Sequence, residues 1–585
     1  MVLVSSNPLS TTLQLQTPAG LIVPGVSFAK VAEQTAPAGR LIRQAMSFNA
    51  LLGPSQHLAV DVQTLKATVR RHFAWEEFVF RLSRTLADLR QSGPDAVPRR
   101  ALTDAALADT WAAEIVNLPA LLAYLTTAGR VPLAVSEQGL LALLVDALAE
   151  PWDTAPEPLP QMPAYRRFAR CAMLASELLD IRDPRDGVLT LFAPDALLGL
   201  GRIREFDLPQ CALVRATELY VELLPQLFPD AERLFSRKRG MPIAEWIRGT
   251  VALATMAFEN VKPGSSFSTR IDFRQPDTRP AAQRSRRVAE ELSRSRDEFR
   301  QEFARLFAQA VNPGLAFRPL RESPLLRLDK DLYIGLHADF LLAAADESVF
   351  FSMVDALGPA GSSKGALFAA VGTAFEQYVT RVLARCAAAS CTQPVRVREA
   401  PGRNRCDFAW RVGDDLLLLD AKRFGLASNL LMGDLALSQR MLSDVGKAVE
   451  QFAETANDIA RHGMESVIPE FAGWSPRRVF AAAVSHRPMY LWFGAADQIA
   501  SNTNLPRPWK DLFAARLLVW SISELELLEA ALPTLPLGRL FDDVCRDDPR
   551  TFLDLRAYLQ EIGWKGPSAS DYYPRRARQI LESED

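Results

Sequence analysis

The stretch LLLLDAK at residues 416–422 joins a strongly apolar run to an acid and a lysine. Successive side chains of a β-strand point to opposite faces of a sheet, so Asp420 and Lys422 share one face and Ala421 lies on the other. The turn signal Gly413-Asp414 precedes this run, and residues 406–412 form a strand candidate before the turn. We therefore predict a hairpin with an acid and an amine at the end of a buried strand.

The turn also predicts how the two strands pair. If it is a two-residue loop, the register places Asp407 directly opposite Asp420 on the same face. Opposed like charges destabilise a sheet, whereas a divalent cation between them removes the repulsion. Hard oxygen ligands suit Mg²⁺ or Mn²⁺. Lys422 follows on the same face, where its charge can stabilise a phosphorane-like transition state or orient a water. The alternative is an exposed hairpin with incidental charges.

A helix predicted at residues 366–388 precedes the hairpin. Its apolar stripe contains Phe375 and Val379, and Glu376 lies at the edge of this stripe. An acid in such a position is usually exposed, but Gly372, one turn earlier, leaves room for another group to approach. Glu376 is therefore a third candidate acid.

The helix glutamate, the hairpin aspartate and the acid-x-lysine tripeptide together resemble the PD-(D/E)xK nuclease superfamily, over residues 365–525. By position, Asp407 and Asp420 correspond to the metal-binding acids, with the backbone carbonyl of Ala421 as a further ligand of Mg²⁺ or Mn²⁺. Lys422 corresponds to the catalytic lysine, and Glu376 to a more variable acid that acts directly or through water. The resemblance implies a restriction-endonuclease-like fold, a mixed sheet flanked by helices.

One position departs from the superfamily pattern. Cys406 stands where the family has proline, a position that varies among its members. The aspartate at position 420 is within the pattern. The helix predicted at residues 435–461 carries Lys447 and Gln451 one turn apart. Superfamily members often place a lysine or glutamine from this helix near the site, so both are second-tier candidates. The alternative for both is a solvent-exposed position.

The whole chain of 585 residues predicts about three to four domains. We expect a multidomain α+β protein, with a small β-containing segment at residues 1–60 and a helical recognition or interaction region at 61–315. A nuclease-like domain with a helical C-terminal extension would occupy 316–585. Buried strands are predicted at 479–484 and 517–522. The predicted helices outside the nuclease-like core lie at residues 61–90, 103–128, 136–150, 164–181, 207–226, 242–259, 281–311 and 338–357.

Two basic clusters in the helical region are candidate phosphate contacts. The first is Arg237-Lys238-Arg239, and the second opens the helix at 281–311 with Arg284 and Arg287. Acidic residues interleave with the second cluster, so a solvated helix face is the competing interpretation.

Composition and motif content argue against several other kinds of site and of protein. The net charge of −2 provides no global basic field for recruiting nucleic acid. The six cysteines form no CxxC pair and the five histidines no HxxxH or HExxH motif, which argues against a zinc site and a disulfide framework. The N-terminal residues lack the pattern of a signal peptide, and no run of roughly 18 apolar residues occurs. We expect a cytoplasmic protein that does not bind a membrane.

The sequence therefore predicts a Mg²⁺-dependent nuclease that cleaves double-stranded DNA, targeted or gated by a partner protein because of the near-neutral charge. A large recognition region on a small nuclease module resembles bacterial restriction or antiphage effectors by fold-level analogy. Cleavage of both strands would be compatible with a homodimer. The alternatives are a catalytically inactive scaffold or binding protein with a nuclease fold, and a nuclease that acts on RNA.

Overall fold

The computed structural model describes three short strands within residues 2–27 and most of residues 62–91, 137–180, 208–259, 269–308, 317–358, 362–390, 394–422, 436–486, 513–545 and 562–582, with a few single residues between them. The described strands are β1 Val2–Val4, β2 Thr12–Gln16, β3 Ile22–Ser27, β4 Arg270–Asp272, β5 Ser293–Arg294, β6 Leu325–Asp329, β7 Leu332–Gly335, β8 Pro394–Arg396, β9 Phe408–Val412, β10 Asp415–Lys422, β11 Arg478–Ser485 and β12 Phe513–Ser521.

The described α-helices are α1 Val62–His72, α2 Trp75–Gln91, α3 Glu137–Ala149, α4 Gln161–Asp180, α5 Pro209–Thr217, α6 Leu224–Leu227, α7 Ala231–Arg239, α8 Ile243–Ala254, α9 Pro280–Glu291, α10 Arg296–Phe307, α11 Arg318–Glu322, α12 Ala338–Ala344, α13 Glu347–Ala356, α14 Ser362–Ser390, α15 Ala436–His462, α16 Met464–Val467, α17 Ile522–Ala531, α18 Leu537–Cys545 and α19 Tyr572–Glu582. Short π-helical turns follow α5 and α8, at Glu218–Leu223 and Thr255–Glu259.

The chain forms two compact units that interleave along the sequence. The first comprises residues 1–204, 252–341 and 428–435, and the second comprises 205–251, 342–427 and 436–585. The first unit contains two sheets, β1-β2-β3 and β4-β7-β6-β5, and a helical core in which Phe78, Leu144 and Phe168 are buried. This arrangement is a multidomain α+β protein, as predicted. The division at residues 60 and 315 stays a prediction.

The second unit is built around a five-stranded mixed sheet in the order β12-β11-β10-β9-β8. β10, β11 and β12 run parallel, whereas β8, β9 and β10 pair antiparallel. Helix α15 connects the parallel strands β10 and β11, as such a crossover requires. From α14 to β12 the main elements follow in the order helix, three strands, helix and two strands.

β10 is the central strand of this sheet, which explains its continuous leucine run. Both α14 and α15 contact β10, and Leu416 and Leu418 share a core with Val449 and Phe452 of α15. Every residue from Asp415 to Ala421 is buried. A strand covered on both faces has no solvent side that would favour alternating polar residues.

Several predicted helices are interrupted in the structure. The helix predicted at 61–90 is α1 and α2, separated at residues 73–74, and the one at 338–357 is α12 and α13. The helix at 281–311 is also wrong as a single element. It ends at Glu291, and Ser295 then caps α10 through a capping box with Glu298. The turn between β6 and β7 lies at residues 330–331.

Other helix predictions are confirmed, at 136–150, 164–181, 207–226, 242–259 and 435–461. The helix expected at 103–128 lies almost entirely outside the described residues. Helix α7 was not predicted, although it carries the first basic cluster.

Candidate active site

The hairpin has the predicted register. β9 and β10 pair from Val412 opposite Asp415 to Phe408 opposite Leu419. Gly413 adopts a φ of +63°, a left-handed conformation that favours glycine in a tight hairpin turn. Continuing this register by one residue brings Asp407 to Asp420.

Asp407 lies against the Asp420–Lys422 tripeptide. The backbone N–H of Ala421 donates a hydrogen bond of 2.7 Å to Oδ2 of Asp407. The backbone carbonyl of Asp407 accepts a hydrogen bond of 3.0 Å from the N–H of Val397, the residue that follows β8. Both the carboxylate and the main chain of Asp407 are therefore held in place.

Asp420 is the most buried charged group of the site. Its side chain is fully buried, and Nζ of Lys422 lies 2.7 Å from Oδ2. Neither carboxylate oxygen has a partner with acceptable hydrogen-bond geometry among the described residues. Burial, and then the neighbouring Asp407 carboxylate, raise the pKa of Asp420 well above its ordinary value, while Lys422 opposes this shift. Buried polar groups are normally hydrogen-bonded, so these two oxygens are suited to a cation.

Glu376 belongs to the same group of charges. It is half-buried on α14. Burial, and then the Asp407 carboxylate, raise its pKa, whereas the cationic Arg396 and Lys422 lower it. A Cβ placed on Gly372 would meet no heavy atom within 4 Å, which agrees with the predicted open space one turn before Glu376. The structure thus brings together the four residues predicted as catalytic.

The carboxylate oxygens of Asp407 and Asp420 suit a hard divalent cation, although they supply only part of its ligands. Among the described residues, no group of three or more His, Cys, Asp and Glu side chains is arranged to hold a metal ion. Asp407 and Asp420 would therefore supply the side-chain ligands. Mg²⁺ usually keeps several waters and takes one or two carboxylates, which fits this pair. The backbone carbonyl of Ala421 as a further ligand stays a prediction.

The second-tier residues lie on α15. Gln451 is buried, and its Nε2 donates a hydrogen bond of 3.1 Å to the carbonyl of Arg405. Its side chain thus fixes the segment that leads to Asp407. Lys447 is exposed one turn earlier, and a catalytic role for either residue stays a prediction.

Two further α15 residues, neither of them a candidate from the sequence, hold the same segment. Thr455 Oγ1 accepts a hydrogen bond of 2.9 Å from the backbone N–H of Cys406. Asp458, which is fully buried, accepts one of 2.7 Å from Nε of Arg405. With Gln451 these residues follow the spacing i, i+4 and i+7 and occupy one helix face. That spacing of polar residues beside an apolar stripe was the available sequence signal.

The two basic clusters belong to different compact units. In the second unit, Lys238 lies 3.7 Å from Asp355, and Arg239 donates a hydrogen bond of 2.9 Å to Ser352. Arg237 is exposed at the C-terminal end of α7. Arg284 and Arg287 lie on α9 in the first unit. Contact of either cluster with nucleic acid stays a prediction.

Of the helices that the structure describes, none combines the length and apolar character that a membrane crossing requires. Comparisons of the chain with protein-family models, with curated proteins and with solved structures found no match.

Proposed function

We propose that the protein is a metal-dependent nuclease that hydrolyses phosphodiester bonds, with double-stranded DNA as its substrate. One observation carries the proposal. The fully buried Asp420 carboxylate has no hydrogen-bond partner among the described residues, lies beside Asp407, and has the Lys422 ammonium 2.7 Å away. Two acids and a lysine in this arrangement suit metal-assisted hydrolysis of a phosphate ester.

Each side chain has a distinct role in this proposal. Asp407 and Asp420 would hold Mg²⁺ or Mn²⁺, which when bound supplies a Lewis acid and lowers the pKa of a coordinated water. Lys422 would donate hydrogen bonds to the phosphate oxygens as negative charge develops on them. Because its pKa is raised, Glu376 is suited to accept the proton that the attacking water loses as its oxygen bonds to phosphorus. The P–O ester bond then breaks, and the leaving oxygen takes a proton from solvent water.

The fold of the second unit supports the same proposal. Its mixed sheet, contacted by α14 and α15, agrees with the mixed sheet flanked by helices that the resemblance to PD-(D/E)xK nucleases implies. Glu376 on the first helix and the acids on the hairpin occupy the positions that this family uses. By the same fold-level analogy, we propose an effector of bacterial restriction or antiphage defence, targeted by a partner protein.

Nicking of supercoiled plasmid by the full-length protein with Mg²⁺ tests the proposal. We expect Asp420→Ala and Lys422→Ala each to reduce nicking at least about 100-fold, because each removes a group that acts on the developing charge. Asp414→Ala is the matched control, since Asp414 is exposed at the opposite end of the same hairpin. Equal nicking by the wild type and both site variants would contradict the enzyme assignment.

A further inference from the structure

Two exposed arginines flank the candidate site on the edge strand of the sheet. Arg396 ends β8, and Arg398 follows two residues later. Val395 and Val397 are buried in the core with α15, while Arg396 and Arg398 are exposed. Since side chains alternate along an extended chain, both arginines point to the same side.

This arginine pair is close to the acids. Val397, which lies between the two arginines, donates its backbone N–H to the carbonyl of Asp407 at 3.0 Å. Nη2 of Arg396 lies 3.3 Å from Oγ1 of Thr380, one helical turn after Glu376. The Arg396 guanidinium also lowers the pKa of Glu376. Arg396 pairs with Phe408 across the sheet, so both arginines lie on the face opposite Asp420 and border the site on the side of Glu376.

This arginine pair differs from the neighbouring arginines in its ionic contacts. Within the part of the chain that the structure describes, neither Arg396 nor Arg398 forms an ion pair. The neighbouring arginines differ, because Arg403 and Arg405 both lie within 4 Å of Asp458, at 3.9 Å and 2.7 Å. Among the described residues, Arg396 contacts the Thr380 hydroxyl and the face of Phe408 at 5.3 Å, and it attracts the Glu376 carboxylate without forming an ion pair with it.

The main chain that carries the pair is fixed on both sides. The N–H of Arg398 donates a hydrogen bond of 3.0 Å to the carbonyl of Val467. Its own carbonyl accepts one of 2.7 Å from Nη1 of Arg405. Less ordering is then required when the two guanidinium groups bind a ligand.

We propose that Arg396 and Arg398 bind backbone phosphates of a DNA duplex and hold it at the edge of the site beside Glu376. This inference rests on the proposed nuclease function. Three clustered carboxylates repel a polyanion, so a strand must be held near them by cations that have no carboxylate of their own. Guanidinium groups suit this role because they form paired hydrogen bonds with phosphate oxygens.

The test is the affinity of the full-length protein for a fluorescein-labelled DNA duplex of mixed sequence, measured by anisotropy without divalent metal over a series of salt concentrations. We expect Arg396→Ala and Arg398→Ala each to weaken binding roughly tenfold. Each should also reduce the slope of log affinity against log salt by about 0.9, the value for one phosphate contact. Arg396→Lys and Arg398→Lys should keep the wild-type slope.

The control is Arg233→Ala, which removes an exposed arginine of α7 that pairs with Asp230. It should leave the slope unchanged. Thermal unfolding of each variant verifies that these surface substitutions leave the fold intact.

The outcomes separate this inference from the proposed function. Wild-type slopes in both alanine variants would overturn the phosphate contacts even if the protein nicks plasmid. Reduced slopes without metal-dependent nicking would support the contacts and count against the nuclease function. No binding of the duplex by the wild type would overturn the inference outright.

Discussion

At the scale of single residues, Asp420 carries a cost in stability that a bound cation would offset. Its pKa is raised in the folded protein, so its favourable contribution to stability is complete below the ordinary carboxyl pKa. That contribution is lost as the pH rises through the raised folded value. Whenever this carboxyl is ionised in the metal-free protein, it is a buried charge that Lys422 stabilises only in part, because the pKa stays raised despite that neighbour.

We accordingly predict that Asp420→Asn stabilises the metal-free protein at neutral pH by about 0.5–2 kcal/mol while it abolishes nicking. Thermal unfolding in EDTA at several pH values measures the effect, and the gain should shrink as the pH falls toward about 4. Asp414→Asn, at the exposed turn, should show no such trend. A less stable Asp420→Asn protein at neutral pH would contradict this account of the site.

Of the features of the site, the hairpin register could be predicted from the sequence, whereas the surroundings of the Asp420 side chain could not. The pairing of β9 with β10, from Val412 opposite Asp415 to Phe408 opposite Leu419, was predictable because a two-residue turn at Gly413 leaves a single register. The missing hydrogen bonds of Asp420 were not, since they depend on burial by other elements. Arg396 and Arg398 could have been noticed from their alternation with Val395 and Val397.

At the scale of elements, α15 positions Asp407 through hydrogen bonds to the two residues before it. We predict that Thr455→Val, which keeps the side-chain shape but removes the acceptor for the Cys406 N–H, raises the Mg²⁺ concentration for half-maximal nicking by about tenfold. Nicking at saturating Mg²⁺ should remain near the wild-type rate.

Thr455→Ser is the matched control, because it retains the hydroxyl and should keep the wild-type Mg²⁺ dependence. Removing the acceptor also costs about 1–3 kcal/mol in the free energy of unfolding, which chemical denaturation measures separately. If serine and valine at position 455 gave the same Mg²⁺ dependence, the hydroxyl would have no positioning role.

Element boundaries were predicted less well than element types. Apolar periodicity continues from α1 into α2, because Val69, Phe73 and Phe78 are all buried in one core. The break at residues 73–74 therefore leaves no gap in the pattern. The break before α10 did have a local signal, the Ser295-x-x-Glu298 capping box.

At the scale of the whole molecule, the second unit combines distant parts of the chain. Arg215 and Glu526, each about 3% exposed, form two hydrogen bonds of 2.9 Å. Tyr378 on α14, the helix of Glu376, donates a hydrogen bond of 2.7 Å to the same glutamate. Periodicity is a local property, so it could not predict that residues 205–251 pack with residues 342–427 and 436–585.

We predict that Arg215→Ala lowers the free energy of unfolding by about 3–5 kcal/mol, because Glu526 is left as a buried charge without its partner. Urea unfolding followed by circular dichroism measures this loss. The double variant Arg215→Met, Glu526→Leu removes both charges and should recover much of the stability. An unchanged midpoint in Arg215→Ala would show that the pair contributes little to the second unit.

The central claim is that Asp407 and Asp420 of the hairpin bind a metal ion. Titration calorimetry of Mn²⁺ into the full-length protein tests it most directly, because binding requires neither substrate nor an activating partner. The wild type should bind Mn²⁺, and both Asp407→Asn and Asp420→Asn should weaken this binding by at least about tenfold. Asp414→Asn should bind like the wild type. Equal affinity for Mn²⁺ in the wild type and in both site variants would contradict the assignment.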